Sequence, residues 1–144
     1  MIKLIKCDNT KIHLPIINEF QEKLYDYHVN ILKVEIPPYG NITTEYQFNM
    51  SISSSLLDFF LVEKDNNHIG LVVLEERDCG CYIYQLYVDD KNKGYGKYVM
   101  NILKRVYKNV ELSVFKDNIN AMRFYQRVGF KVIENLGDKF KMKL

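Results

Sequence analysis

Apolar and polar residues alternate through MIKLIKC at positions 1–7, which predicts a β-strand. From Pro15 the period lengthens. Ile16, Ile17, Phe20, Leu24, Tyr27 and Ile31 recur at three- and four-residue spacing, as one apolar face of a helix does. Pro15 suits the first turn of that helix, where its missing N–H costs nothing. EIPPYGN (35–41) breaks the chain. A second helix is expected from about Thr43 to Leu57, although Ser51, Ser53, Ser54 and Ser55 are mediocre helix formers. DFFLVEK (58–64) and HIGLVVLEE (68–76) flank the turn-forming DNN and read as a hairpin. After the turn RDCG comes CYIYQLYV (81–88), a long β-prone run. A glycine loop follows, and then a helix over about Tyr95–Tyr107 with Val99, Leu103 and Val106 as its core stripe. VELSVF (110–115) is a further strand. NINAMRFYQRV (118–128) is a helix with Asn118 as N-cap and Gly129 as its stop. FKVIENL and KFKMKL, on either side of Gly137, close the chain as two strands.

The expected order is β-α-α-β-β-β-α-β-α-β-β. That is an α+β fold, a central mixed and mostly antiparallel sheet of seven strands flanked by four helices. With 144 residues the chain suits a single domain spanning 1–144. It can bury roughly 70% of its unfolded surface and needs no metal or disulfide to fold.

Composition narrows the function classes. Hydrophobic residues are 47% and charged residues 26%, an ordinary globular balance. A net charge of +2, with no block of five like charges, argues against nucleic acid as partner. Cys7, Cys79 and Cys81 are an odd set without a disulfide framework. With His13, His28 and His68 scattered, they supply no four-ligand zinc site, so no metal is expected. The cysteines read as reduced, half-buried thiols of a cytosolic protein. No signal peptide and no run of roughly 20 apolar residues is present, so the chain is expected to be cytoplasmic and not membrane-bound.

The candidate chemistry lies in DDKNKGYGKYVM (89–100). Gly94 and Gly96 allow backbone N–H groups to turn inward, and the helix they open presents unpaired N–H groups and a partial positive charge. Lys91, Lys93 and Lys97 add to that field, and a pyrophosphate is the natural guest. A tight strand-to-helix turn with solvated lysines is the plain alternative. A Walker loop is excluded, since Lys91 stands where its first Gly belongs and Tyr98 follows Lys97 in place of Ser or Thr. The dinucleotide fingerprint is disfavoured by Val99 at the third glycine position and by the loop's place after the fourth strand.

About twenty residues on, LSVFKDNINAMRFYQRVGFKV spaces Val114, Asn118, Ala121, Phe124-Tyr125 and Gly129-Phe130. Together with LYVDDKNKGYG, this resembles the GNAT superfamily of acetyl-CoA-dependent N-acetyltransferases. The loop matches that family's cofactor motif of Arg or Gln, two residues, Gly, one residue, Gly or Ala. Two departures stand out. Lys91 replaces the usual Arg or Gln, a point charge in place of a planar fork. The approach from Val88 is also slightly shorter than is common.

The resemblance implies that the strand before the loop splays from the strand after the following helix, with pantetheine in the gap. Leu86, Tyr87 and Val88 would then offer it backbone groups, one N–H polarising the thioester carbonyl. Lys91, Asn92, Lys93, Gly94, Tyr95, Gly96 and Lys97 would hold the pyrophosphate of acetyl-CoA. Asn118 would touch the pantetheine arm, cap its helix, or both. Tyr125 stands where the family has a tyrosine general acid for the leaving thiolate; otherwise it is a core aromatic beside Ala121 and Val128.

No base is assigned. Tyr82, Tyr84 and Gln85 occupy the strand where many members have a carboxylate, Glu75 and Glu76 are the nearest acids in sequence but read more simply as solvated hairpin charges, and a water chain through the tyrosines would serve as well. The acceptor, a small-molecule or peptide amine, would enter beside the first two helices. There Asp26, Glu35, Glu45 and the Glu75-Glu76 pair would favour a cation, and Tyr39, Tyr46 and Phe48 would stack on one. Ordinary surface and core roles remain open for all of these. The family contains many homodimers, and the apolar surface of the final strands fits one. The competing functions are a non-catalytic acyl-CoA-binding module on the same fold and, disfavoured by the motif checks, a nucleotide switch.

Overall fold

In the computed structural model, which describes residues 1–33, 42–89 and 93–144, the alternating segments form one seven-stranded sheet. The strands are β1 (Ile2–Lys6), β2 (Asp58–Lys64), β3 (Asn67–Arg77), β4 (Gly80–Val88), β5 (Asn109–Phe115), β6 (Lys131–Asn135) and β7 (Lys139–Lys143). Their order is β1-β2-β3-β4-β5-β7-β6, and only β4–β5 is parallel. Four helices accompany them among the described residues: α1 (Thr10–Asp26), α2 (Glu45–Ser54), α3 (Tyr95–Val106) and α4 (Ile119–Val128). The layout is the α+β one that the sequence predicts.

Local chemistry explains most boundaries. Asp65 and Asn66 both take positive φ between the paired Lys64 and Asn67, the two-residue turn that matches strand twist in a hairpin. Thr44 and Gln47 form a reciprocal capping box at α2. Asn118 Oδ1 accepts from Ala121 N at 3.2 Å, and Gly129 ends α4 at φ 118°.

Three expectations about the helices change. α1 starts earlier than Pro15, with Asn9 as its cap, so Pro15 is an interior residue whose missing N–H leaves one turn unpaired. The apolar stripe does not continue to Ile31. α1 runs into a π-turn at Tyr27–Ile31, closed by Leu32 N donating to Tyr27 O, and Ile31 is left 67% exposed. In α3 the stripe is Val99, Met100 and Leu103. Val106 is exposed because the helix ends there and Tyr107 swings its hydroxyl to Glu76 at 2.8 Å.

The sheet separates two cores. On one face α3 and α4 cover Val62, Val72, Leu74, Ile83, Leu112 and Met142. On the other α1 and α2 cover Phe59, Leu61, Leu71 and Val73. Phe48 is fully buried in this second core, edge-on to Phe59, which removes it as an acceptor-stacking residue. Cys7 and Cys81 are buried and Cys79 is exposed, in place of three half-buried thiols.

Candidate functional site

β4 and β5 pair from Gly80↔Asn109 to Ile83↔Leu112 and then part. Beyond that point β4 continues against β3 as far as Gly70↔Val88, while β5 continues against β7 as far as Phe115↔Lys139. The divergence coincides with a bulge. Val73 faces Gln85 and Leu74 faces Ile83, so Tyr84 is an extra residue. A bulge bends its strand and re-aims the side chains around it. Here Leu86 packs toward the α3–α4 core, while Tyr87 packs toward α1, its ring 5.9 Å from Phe20.

The parting strands open a slot of about 1300 Å³ through the sheet. It is lined from the α3–α4 face by Leu86, Val88 and Val114, and from the α1 face by Tyr84, Gln85, Ser113 and Phe115. At its upper end lies the N-terminus of α3. Gly94 caps that helix at φ 78°, a conformation glycine adopts without strain, and a Cβ built there would meet only open space. Gly96 is constrained by packing: a Cβ on it would stand 3.1 Å from the Phe124 ring of α4. The cradle is therefore open toward a ligand and closed against its neighbour helix. The first N–H groups of α3 have no partner within the helix, so the fit to a pyrophosphate is chemical as well as spatial.

Of the residues singled out in sequence, Leu86, Tyr87, Val88, Gly94, Tyr95, Gly96, Lys97, Asn118 and Tyr125 line this slot together. Lys93 precedes Gly94 without lining it. Lys91 and Asn92 lie outside the described residues, as do Glu35 and Tyr39 of the expected acceptor region. Tyr125 stacks edge-on to Phe130 at 5.5 Å, and among the described residues its hydroxyl has no hydrogen-bond partner. Burial pushes this phenol up to about 12.

The candidate acids are both paired. Glu75 pairs with Arg77 at 2.6 Å and accepts from the hydroxyl of the slot-lining Tyr84 at 3.3 Å, and Glu76 accepts from Tyr107. Both belong to the half of β3 that pairs with the start of β4, away from the glycine loop. Tyr46 is 73% exposed on α2. Gln85 is held in a buried amide network. Gln21, 1% exposed, donates to Gln85 Oε1 and Thr43 Oγ1, both at 2.8 Å, and accepts from Thr43 N at 2.8 Å. Asn18 extends the network to Thr43 O at 2.9 Å.

Sequence reasoning missed Arg123 and Arg127, which line the slot from α4, and Tyr27, His28 and Ser113 on the α1 side. The arginines had a signal, an i,i+4 pair on the motif helix. Tyr27 and His28 had none, because a π-turn places them.

A model of the Acetyltransferase (GNAT) family matches residues 19–130. No curated protein matches the chain by sequence. Several solved structures match nearly its whole length. A PaiA N-acetyltransferase from Thermoplasma acidophilum, in complex with coenzyme A, superposes with a TM-score of 0.81 at 19% identity, covering 99% of this chain and 98% of that one. A spermidine N-acetyltransferase from Vibrio cholerae, in complex with CoA and spermine, gives 0.73 at 18% identity, covering 99% and 94%. The N-acetyltransferase PseH of Campylobacter jejuni gives 0.64 at 22%, covering 99% and 96%.

Proposed function

The chain belongs to the GNAT acetyltransferase family, and from that premise we propose that it moves an acetyl group from acetyl-CoA to an amine of a small molecule or peptide by direct attack. When bound, acetyl-CoA supplies an acetyl group activated as a thioester, with a thiol as leaving group. The observation that carries this reading is the slot, which joins the open cradle at α3 to Tyr125.

The backbone of Gly94 to Lys97 holds the pyrophosphate, with Lys91, Asn92 and Lys93 on the preceding loop and Arg123 and Arg127 as further cations. Leu86, Tyr87 and Val88 present the strand edge to pantetheine, and one N–H there steadies the carbonyl oxygen as charge develops on it. Asn118 caps α4 and so fixes the helix that carries Tyr125.

Tyr125 gives its proton to the departing sulfur. The burial that keeps the phenol neutral also raises the basicity of a thiolate forming beside it.

The acceptor enters from the α1 side, past Tyr27, His28 and Tyr84. A second reading, a non-catalytic acyl-CoA-binding module, is favoured by one observation. Gln85, next to the bulge at Tyr84, cannot act as a base, and Gln21 already holds its oxygen.

Calorimetry with acetyl-CoA and with ATP, joined to steady-state kinetics of Tyr125→Phe, separates the readings. The transferase reading expects tighter binding of acetyl-CoA than of ATP and a Y125F variant that loses kcat while keeping cofactor affinity. Tighter ATP binding, or a Y125F variant that turns over normally, contradicts it.

A further inference from the structure

The acids that the sequence places around the acceptor entrance would favour a cation, and the structure takes the described ones out of that role. Asp26, Glu45, Glu75 and Glu76 do not line the slot. Glu75 is held by Arg77 and Tyr84, and Glu76 by Tyr107. Asp89 does line it, and its carboxylate lies 3.3 Å from the Lys23 ammonium. Slot-lining hydroxyls of β4 and β5 are engaged as well: that of Tyr84 donates to Glu75, and that of Ser113 shares a hydrogen bond with Tyr82.

Lys139 of β7 lines the slot beside its cross-strand neighbour Phe115. Phe140 and Met142 belong to the core under α3 and α4, so alternation sends Lys139, Lys141 and Lys143 to the α1 face. The Lys139 ammonium rests 4.4 Å from the centroid of the Phe115 ring, a cation–π contact that positions the charge without neutralising it. Among the described residues no carboxylate pairs with it. Asp138 also lines the slot, but the β5–β7 ladder reaches it through Lys116 N and Asp138 O at 3.0 Å, and alternation directs its side chain to the α3–α4 face. Lys131 of β6 stands directly opposite Lys143, a like-charge pairing that weakens a sheet. On this face Lys131, Lys139, Lys141 and Lys143 outnumber Glu111 and Glu134, so the field beside the slot is positive and draws anions.

We propose that the acceptor carries a carboxylate as well as its amine, and that Lys139 selects for it. This rests on the transferase reading and narrows it to amino acids and to peptides with a free carboxylate. A diamine or polyamine of the same length would bring a second ammonium to Lys139, where two like charges repel. The carboxylate takes no part in bond making or breaking. Lys139 therefore acts on binding of the acceptor, and its effect falls on KM more than on kcat.

The test measures kcat/KM of wild type for straight-chain ω-amino acids, their carboxamides and diamines of the same length, and for short peptides with a free or an amidated C-terminus. The carboxylated member of a set is expected to be preferred about tenfold, the order of one charge-assisted hydrogen bond, mainly through KM. That preference is expected to shrink at high salt. Lys139→Arg should retain it, Lys139→Met bring the ratio toward one, and Lys139→Glu invert it in favour of the diamine, while acetyl-CoA affinity holds by calorimetry. A preference among the amino acids alone assigns the carboxylate to a free amino acid, and one among the peptides alone to a peptide; either supports the proposal. Equal use of carboxylate and carboxamide, faster turnover of the diamines, or a K139M variant that keeps the wild-type ratio overturns it. Should a variant fail to fold, the wild-type comparison decides. If wild type acetylates no amine of any class, the transferase reading fails and this one with it; if it acetylates amines without preferring the carboxylate, only the acceptor assignment fails.

Discussion

At Gly94 one backbone angle serves the fold and, in the proposed function, the chemistry. Its φ of 78° turns the chain into α3 and leaves the place of an added Cβ in open space. Gly94→Ala is expected to cost about 1 kcal/mol of stability, the order of the left-handed penalty for an L-residue, and to put a methyl group into the cradle proposed for the pyrophosphate. Thermal unfolding and acetyl-CoA calorimetry should both register it, with the larger loss in affinity. Tyr125 carries a separate expectation. Its pKa is pushed from 10 to about 12 by burial, so the folded state favours the neutral phenol. That contribution is present in full below about pH 10, the unfolded value. It is lost as pH rises toward 12. Urea denaturation of wild type and Y125F at rising alkaline pH should show wild type losing stability faster. Gly94, Gly96, Asn118 and Gly129 were legible in sequence because each answers a local demand, a turn or a cap. Tyr125 was legible only through its motif, since spacing alone gives a core aromatic as readily.

The elements that shape the acceptor side are irregular ones. A bulge at Tyr84 and a π-turn at Tyr27–Ile31 each shift the side-chain register by about one residue. No periodicity in the sequence announces either shift, so Tyr27 and Ile31 read as helix stripe and Tyr84 as plain strand. The same reason explains Val106, whose place in the stripe depended on where α3 stops. Between the two irregular elements lies Gln21, which holds Thr43 and Gln85. Gln21→Leu removes the hydrogen bonds to Thr43 and Gln85 and is expected to destabilise the protein by about 2 kcal/mol. Because the network borders the acceptor side and not the cradle, the acceptor KM should rise while acetyl-CoA affinity holds. A variant that weakens both equally would contradict this division.

Across the whole molecule, the sheet divides the slot into a face under α3 and α4 and a face under α1. The order of elements along the chain, the mixed and mostly antiparallel sheet and the helix count followed from hydrophobic patterning together with the family resemblance, whereas the strand order and the volume and walls of the slot required tertiary structure. No described helix is long and apolar enough to cross a membrane. The cysteines report on the intactness of both cores. Burial pushes Cys7 up to about 11 and Cys81 up to about 12, while Cys79 is exposed. A thiol reagent should modify Cys79 quickly in the native protein and the other two only after unfolding. The most direct test of the central claim is thiol release from acetyl-CoA by the wild-type protein across a panel of polyamines, aminoglycosides, amino-acid amides and peptides. The account predicts amine-dependent release for at least one class, with the acetylated amine identified by mass spectrometry. Tight acetyl-CoA binding with no release above background for any amine would contradict it and leave the non-catalytic reading in its place.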